Sequence, residues 1–259
     1  MLAYERIGSG PPLVLLHGVG HRRQAWYPVL DHLADQRELI LVDLPGHGES
    51  DPLVCHGKTA VGVLRDELTA FFEQQNLDRP HIAGNSLGGR MALEAGVLGI
   101  ARSVTALSPA GFWRTQAGFG YTRRLFSTVE KVGRRVGPRA PRLVRSTAGR
   151  AMMFGWINAH PSRLDPERAL GDFHAFTLAQ PALHSLVREA TPFTGFVPAN
   201  IPVTIAWAAR DLVLPPYQAR QAKAALPGAR HIRLPSCGHV PMSDNPALVA
   251  SVLLQGSAN

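Results

Sequence analysis

The sequence predicts an α/β domain: a mostly parallel, doubly wound sheet with helices on both faces and a helical lid inserted between two of its strands. Short apolar runs alternate with stretches whose apolar residues recur at three- and four-residue steps, the pattern of strands joined by crossover helices. The alternation breaks once, between Phe112 and about Pro198, where no strand pattern appears. Glycine- and proline-rich turns follow several apolar runs directly, as loops at one edge of a parallel sheet do.

Taken in order, strands are expected at 13–16, 39–42, 80–83, 104–107, 203–207 and 231–234. Two of them, 13–16 and 39–42, are apolar without interruption, as strands covered on both faces are, and the others are apolar in at least half of their residues. Helices are expected at 26–34, 61–75, 87–98, 217–225 and 246–254. In the second of these Val61, Leu64, Leu68, Phe71 and Phe72 share one face. The last is opened by Asp244-Asn245-Pro246, with Asp244 read as facing the helix start and proline in the first turn. The core domain then comprises 1–111 and 199–259. The segment 112–198 forms a lid over the strand ends, where open α/β sheets carry ligands.

Composition narrows the class. An apolar share of 45% and a charged share of 18% are ordinary globular usage, which excludes disordered and fibrous chains. The start, Met1-Leu2-Ala3-Tyr4-Glu5-Arg6, lacks the basic stretch and apolar run of a secretory signal, and no apolar run approaches the roughly 20 residues that span a bilayer. A cytoplasmic protein without a transmembrane segment is expected. Two cysteines, Cys55 and Cys237, are too few for a disulfide framework or a thiolate cluster, and no metal site is expected.

The net charge of +8 is concentrated. Arg114, Arg123, Arg124, Lys131, Arg134, Arg135, Arg139, Arg142, Arg145 and Arg150 stand against Glu130 alone between Phe112 and Arg150, so the whole excess lies in the lid. No recognition motif accompanies it, and nucleic acid is not expected as a partner. Leu125, Val129, Val132 and Val136 recur at helical spacing among these cations. Such a basic amphipathic helix is either a solvated face over the lid or a contact for acidic groups, on substrates or on a membrane surface.

The chemistry is carried by a constellation. The expected strand at 80–83 runs into Gly84-Asn85-Ser86-Leu87-Gly88-Gly89 and then into a helical pattern, the strand–turn–helix setting of a Gly-x-Ser-x-Gly nucleophile. Small residues two positions either side of Ser86 let strand and helix approach, and the helix dipole favours negative charge at the turn. A serine hydroxyl needs a base, and an imidazole base needs an acid to fix its tautomer. Asp211 lies just past one expected strand and His239 in the loop after the next, which makes Ser86, Asp211 and His239 the candidate triad. Acyl transfer also needs donors for an oxyanion. His17-Gly18-Val19-Gly20 follows the first strand, so the backbone N–H groups of Val19 and Leu87 are the candidate pair, with His17 bracing the loop.

Four motifs in this order resemble the α/β-hydrolase superfamily over nearly the whole chain: His17-Gly18-Val19-Gly20, Asp43-Leu44-Pro45-Gly46-His47-Gly48-Glu49-Ser50, Gly84-Asn85-Ser86-Leu87-Gly88-Gly89, and Gly238-His239 with Asn245-Pro246 downstream. The resemblance implies the α/β-hydrolase fold with eight strands, a helical cap after the sixth, and a site without a cofactor. Little sequence precedes Leu13, so the first strand or two of that sheet are expected to be short or absent. Serine at the elbow separates the chain from relatives with aspartate there, the haloalkane dehalogenases and epoxide hydrolases.

The expected reaction is hydrolysis of a carboxylic ester, thioester or lactone, with a small, partly apolar acyl substrate. Gly18, Trp26, Asn85, Trp113 and Val240 are the candidate substrate contacts, and Phe112, Phe119, Phe154 and Trp156 are further aromatics for an apolar pocket. Two alternatives stand beside it. The elbow is similar to that of meta-cleavage-product hydrolases, which break carbon–carbon bonds, although many of those place tryptophan where Val240 follows the histidine. A binding protein that kept the fold without catalysis is the other.

Overall fold

In a computed structural model, which describes residues 1–258, the apolar runs pair as a seven-stranded sheet. The strands are β1 (Tyr4–Ile7), β2 (Pro12–Leu16), β3 (Glu38–Val42), β4 (His81–Asn85), β5 (Ser103–Leu107), β6 (Val203–Ala208) and β7 (Arg230–Leu234). They lie in the order β1-β3-β2-β4-β5-β6-β7. All pairings are parallel except that of β1, which runs antiparallel along β3 with Tyr4 opposite Val42. The sheet thus has seven strands among the described residues where the resemblance implied eight. β1 is four residues long and alternates between exposed and half-buried side chains, so no apolar run marks it in the sequence.

Alternation along the strands divides the core into two layers. Val14, Leu16, Ile40 and Val42 face α1 (Ala60–Gln74) and α2 (Leu87–Val97). Leu13, Leu15, Leu39 and Leu41 face a 3₁₀ helix (Arg23–His32) and the C-terminal helix that spans Pro246–Gly256. An α-helix was expected over 26–34. Pro28 lies inside that stretch and lacks the N–H an α-helical turn would use, and the tighter helix forms instead.

The insertion between β5 and β6 is helical: α3 (Gln116–Val136), α4 (Ala140–Leu143), α5 (Thr147–Phe154), α6 (Pro166–Leu178) and α7 (Gln180–Arg188). Thr115 caps α3 by accepting the Gly118 N–H, and Asp165 caps α6 by accepting that of Arg168. Val144, Phe154, Leu164 and Ala169 form a small core within this cap. The cap follows the fifth strand rather than the sixth, because one strand fewer precedes it. Beyond β6 come α8 (Tyr217–Ala225), α9 (Pro241–Asp244) and α10, the C-terminal helix already named. None of the described helices is long and apolar enough to cross a membrane.

Between β3 and β4 the chain crosses over β2, so the connections that follow β2 and β4 leave toward opposite faces of the sheet. Such a switch opens a crevice beyond the C-terminal ends of the two strands. The loop after β2 and the turn after β4 both border it.

Buried histidines make this framework pH-sensitive, His47 and His81 among them. His47 Nδ1 lies 3.0 Å from the Pro45 carbonyl and His81 Nδ1 lies 2.8 Å from the Ser103 hydroxyl. Burial pushes both imidazoles down from 6.5 to about 4. The unfolded chain therefore binds protons that the folded chain refuses, and stability that is full above pH 6.5 is lost as pH falls toward 4. Between pH 7 and pH 5 each histidine is expected to remove about 2 kcal/mol. A urea midpoint that does not fall over that interval would contradict this.

Candidate active site

The turn after β4 holds Ser86 at φ 56° and ψ −112°, a backbone conformation that costs a residue with a side chain about 1–3 kcal/mol. The surroundings over-determine it: the Ser86 N–H donates to the Leu107 carbonyl at 2.9 Å, and its carbonyl accepts the N–H groups of Arg90 at 2.9 Å and Ala110 at 3.0 Å. Gly18 lies against this turn, so that a Cβ on it would sit 3.3 Å from that of Ser86.

Asp211 and His239, carried by different strand ends, meet. His239 Nδ1–H donates to Asp211 Oδ2 at 2.8 Å, while Oδ1 accepts the N–H groups of Val213 at 2.9 Å and Leu214 at 2.7 Å. With the carboxylate fixed and the Nδ1 proton engaged, Nε2 is left as the basic nitrogen. Both side chains are buried. Asn85 joins the serine turn to the histidine loop, its Nδ2 donating to the His239 carbonyl at 2.9 Å and the Leu107 carbonyl at 3.2 Å. The structure has no hydrogen bond between the Ser86 hydroxyl and His239 among the described residues. Nucleophile–base bonds in free enzymes are often long and tighten with substrate in place.

The backbone N–H groups of Val19 and Leu87 have no backbone acceptor among the described residues. Leu87 opens α2, where the helix dipole adds to its pull on negative charge. His17 steadies the opposite loop: Nδ1 donates to the Gly18 carbonyl at 2.8 Å and Nε2 accepts the Leu44 N–H at 3.0 Å. Burial, reinforced by nearby His47, keeps it well below the ordinary imidazole range, so it is a neutral brace, as the sequence suggested. Asp43 ties the neighbouring loops, accepting the N–H groups of Arg23 at 2.6 Å and Glu49 at 3.0 Å and pairing with the Arg23 guanidinium.

Two apolar compartments adjoin the site. Ser86 and Leu87 border the smaller, of about 60 Å³, with Trp113, Phe119 and Phe126. The larger, of about 310 Å³, lies in the cap between α3, α5 and α6. Val19 belongs to the walls of both.

Of the expected substrate contacts, Gly18 lies against Ser86, and Trp113 lines the smaller compartment, stacked on Phe119 at 4.2 Å between ring centroids. Three others are corrected. Trp26 is fully buried in the layer on the other face of the sheet and borders neither compartment, because it sits on the inner face of the 3₁₀ helix. Asn85 spends its amide on the two backbone carbonyls that hold the histidine loop. Val240 packs into the core, its N–H donating to the Ile157 carbonyl at 3.1 Å while its carbonyl accepts from Asn158 Nδ2 at 3.1 Å. Phe154 and Trp156 line the cap compartment, while Phe112 packs on Phe193 and Trp207 in the core.

Asp244 is the other correction. Asn245, not Asp244, caps α10 by accepting the Leu248 N–H. The buried Asp244 carboxylate instead accepts the N–H groups of Gly238 at 2.7 Å, Ala159 at 2.9 Å and His160 at 2.8 Å, which stitches the histidine loop to the cap. Two neighbouring cap-forming residues before Pro246 were the only signal, and they do not say which one the helix uses. His21 and Asp172 were also missed. They border the cap compartment with His21 Nδ1 4.0 Å from Asp172 Oδ1, and nothing local links residues so far apart in sequence.

Residues 13–252 match the model of a family described as the alpha/beta hydrolase family. An uncharacterized protein of Mycobacterium tuberculosis is 29% identical over 266 residues, covering 95% of this chain and 74% of the relative. Among solved structures, the enol-lactonase from Burkholderia xenovorans LB400 superposes with a TM-score of 0.76 at 17% identity, over 100% of this chain and 96% of its own. A thermophilic esterase from Thermogutta terrifontis gives 0.69 at 21% identity, over 98% and 92%. At such identities the likeness of the two structures is one of fold.

Proposed function

We propose that this chain, which belongs to the alpha/beta hydrolase family, is a serine hydrolase that cleaves a carboxylic ester, thioester or lactone through an acyl-enzyme on Ser86. The observation that carries the reading is the 2.8 Å bond from His239 to Asp211 in the loop that Asn85 fastens to the strained serine turn. His239 Nε2 takes the Ser86 proton as Oγ attacks the carbonyl carbon. The negative oxygen of the tetrahedral intermediate is received by the N–H groups of Val19 and Leu87. Collapse breaks the bond to the alcohol or thiol, which leaves with the proton from Nε2. Water then attacks the acyl carbon, gives its proton to the same nitrogen, and frees the carboxylic acid and Ser86.

The small compartment supports ester chemistry over carbon–carbon cleavage of an anionic dienoate. Among the described residues Arg90 is the one cation that lines it, and it is already paired with Glu94 at 2.7 Å. A lactonase and an esterase share the fold, which agrees with the reaction class. A fluorophosphonate is expected to label the protein covalently and Ser86→Ala to abolish the label. Equal labelling of both, or of neither, would refute the assignment, and tight binding of an ester without turnover would favour a non-catalytic binding protein.

A further inference from the structure

The cap compartment has an apolar wall, one side of which is supplied by α3, and the exposed cations of α3 lie beside that side. Leu125, Val129, Val132 and Val136 form the wall at steps of four, three and four residues, which keeps them on one face of the helix. The compartment meets solvent at Val132 and Met152, which are 47% and 59% exposed. One position ahead of each wall residue runs a second stripe with the same steps: Arg124, Thr128, Lys131 and Arg135. Thr128 lines the compartment itself, and Arg124, Lys131 and Arg135 continue its stripe on the exposed side of the wall.

These three cations are exposed, and none has a carboxylate within 4.0 Å among the described residues. Lys131 and Arg135, four residues apart, repel along the helix, and no internal partner relieves them. Arg134 differs in being paired with Glu130 at 3.0 Å. The inner end of the same compartment reaches Val19, which also borders the space in front of Ser86.

We propose that Arg124, Lys131 and Arg135 are an anion-binding rim, and that the substrate is an amphiphilic ester: its carbonyl at Ser86, its apolar chain through the cap compartment, and an anionic group at the far end held on α3. The ester part rests on the Ser86 reading given above; the rim can be tested by binding alone. Contacts so far from the reacting carbonyl are made equally in ground and transition states, so they act on KM rather than kcat. They also weaken with added salt, because the cations are exposed.

The test compares the p-nitrophenyl ester of decanoic acid with the p-nitrophenyl monoester of decanedioic acid, alike in length and different in the distal carboxylate. The wild-type protein is expected to prefer the anionic ester by about fivefold to tenfold in kcat/KM, through KM, since exposed ion pairs are individually weak. The triple variant Arg124→Gln, Lys131→Gln, Arg135→Gln should lose that preference while keeping its rate on the neutral ester and its thermal midpoint, and molar salt should erode the preference in the wild type. Equal handling of the two esters by the wild type, or a preference that survives in the variant, overturns the proposal.

If neither ester turns over and the fluorophosphonate fails to label, it is the Ser86 reading that has failed. Calorimetric titration with decanedioic acid monomethyl ester then judges the rim separately: weaker binding by the triple variant supports it, and equal binding refutes it. Loss of binding to phosphatidylglycerol vesicles by the triple variant, with the soluble esters undistinguished, would make the rim a membrane contact and the proposal wrong.

Discussion

Ser86→Ala is expected to lower kcat for the best ester substrate by about 10⁴- to 10⁶-fold, with little change in KM or thermal stability. The size follows from the chemistry. Without Oγ there is no acyl-enzyme, His239 has no hydroxyl to deprotonate, and the remaining acceleration comes only from the oxyanion donors and from binding. The alanine removes one hydroxyl that makes no hydrogen bond within the described structure, so the fold has little to lose. A variant within tenfold of the wild-type rate would show that the nucleophile is elsewhere. A variant that no longer folds would instead place the serine in the framework, and a melting curve separates the two outcomes.

Gly88→Ala is expected to produce a large loss of stability, about 4 kcal/mol or more. A Cβ at Gly88 would overlap the Leu16 carbonyl and come within 2.7 Å of that of His17. Both are backbone atoms at the end of a central strand, and they cannot turn aside as a side-chain tip would. The close approach of α2 to the end of β2 is also what brings the Leu87 and Val19 N–H groups to the same crevice, so activity should fall with stability. Urea denaturation of the purified variant measures the effect, and a midpoint like that of the wild type would mean that α2 can move away without cost.

Much of the fold was legible because its signals are local. Each expected strand at 13–16, 39–42, 80–83, 104–107, 203–207 and 231–234 appears with bounds shifted by at most two residues, since short runs rich in apolar and β-branched residues between turns have few alternatives to a strand. The helix at 217–225 falls where the pattern put it. β1 was missed because half its residues are polar and its partner, β3, is distant in sequence. The 3₁₀ helix was misread because periodicity reports an apolar face but not the pitch of the backbone.

The candidate site divides along the same line. Gly84 and Gly88 around Ser86 follow from the sterics of a single turn, and that turn is readable over six residues. Trp26 was misplaced because an aromatic near a site motif does not say which face of the sheet its side chain joins. Asn85 was misread for a related reason: a polar residue beside the nucleophile looks ready for substrate until the two carbonyls that claim its amide are seen.

By itself, then, the amino-acid order determined which residue types stand near strand ends, a serine between glycines and an aspartate and a histidine each beyond an apolar run, and it put the whole surplus of positive charge in the lid. Only the tertiary structure decided that His239 Nδ1 meets Asp211 Oδ2, that Asp244 holds the histidine loop to the cap, and that the cationic stripe of α3 edges an apolar compartment reaching Val19. The reason is range. Turn sterics and helical periodicity act over a few neighbouring residues and are written in them, whereas these contacts join segments brought together only by the strand order β2-β4-β5-β6-β7 and by the packing of the cap over it.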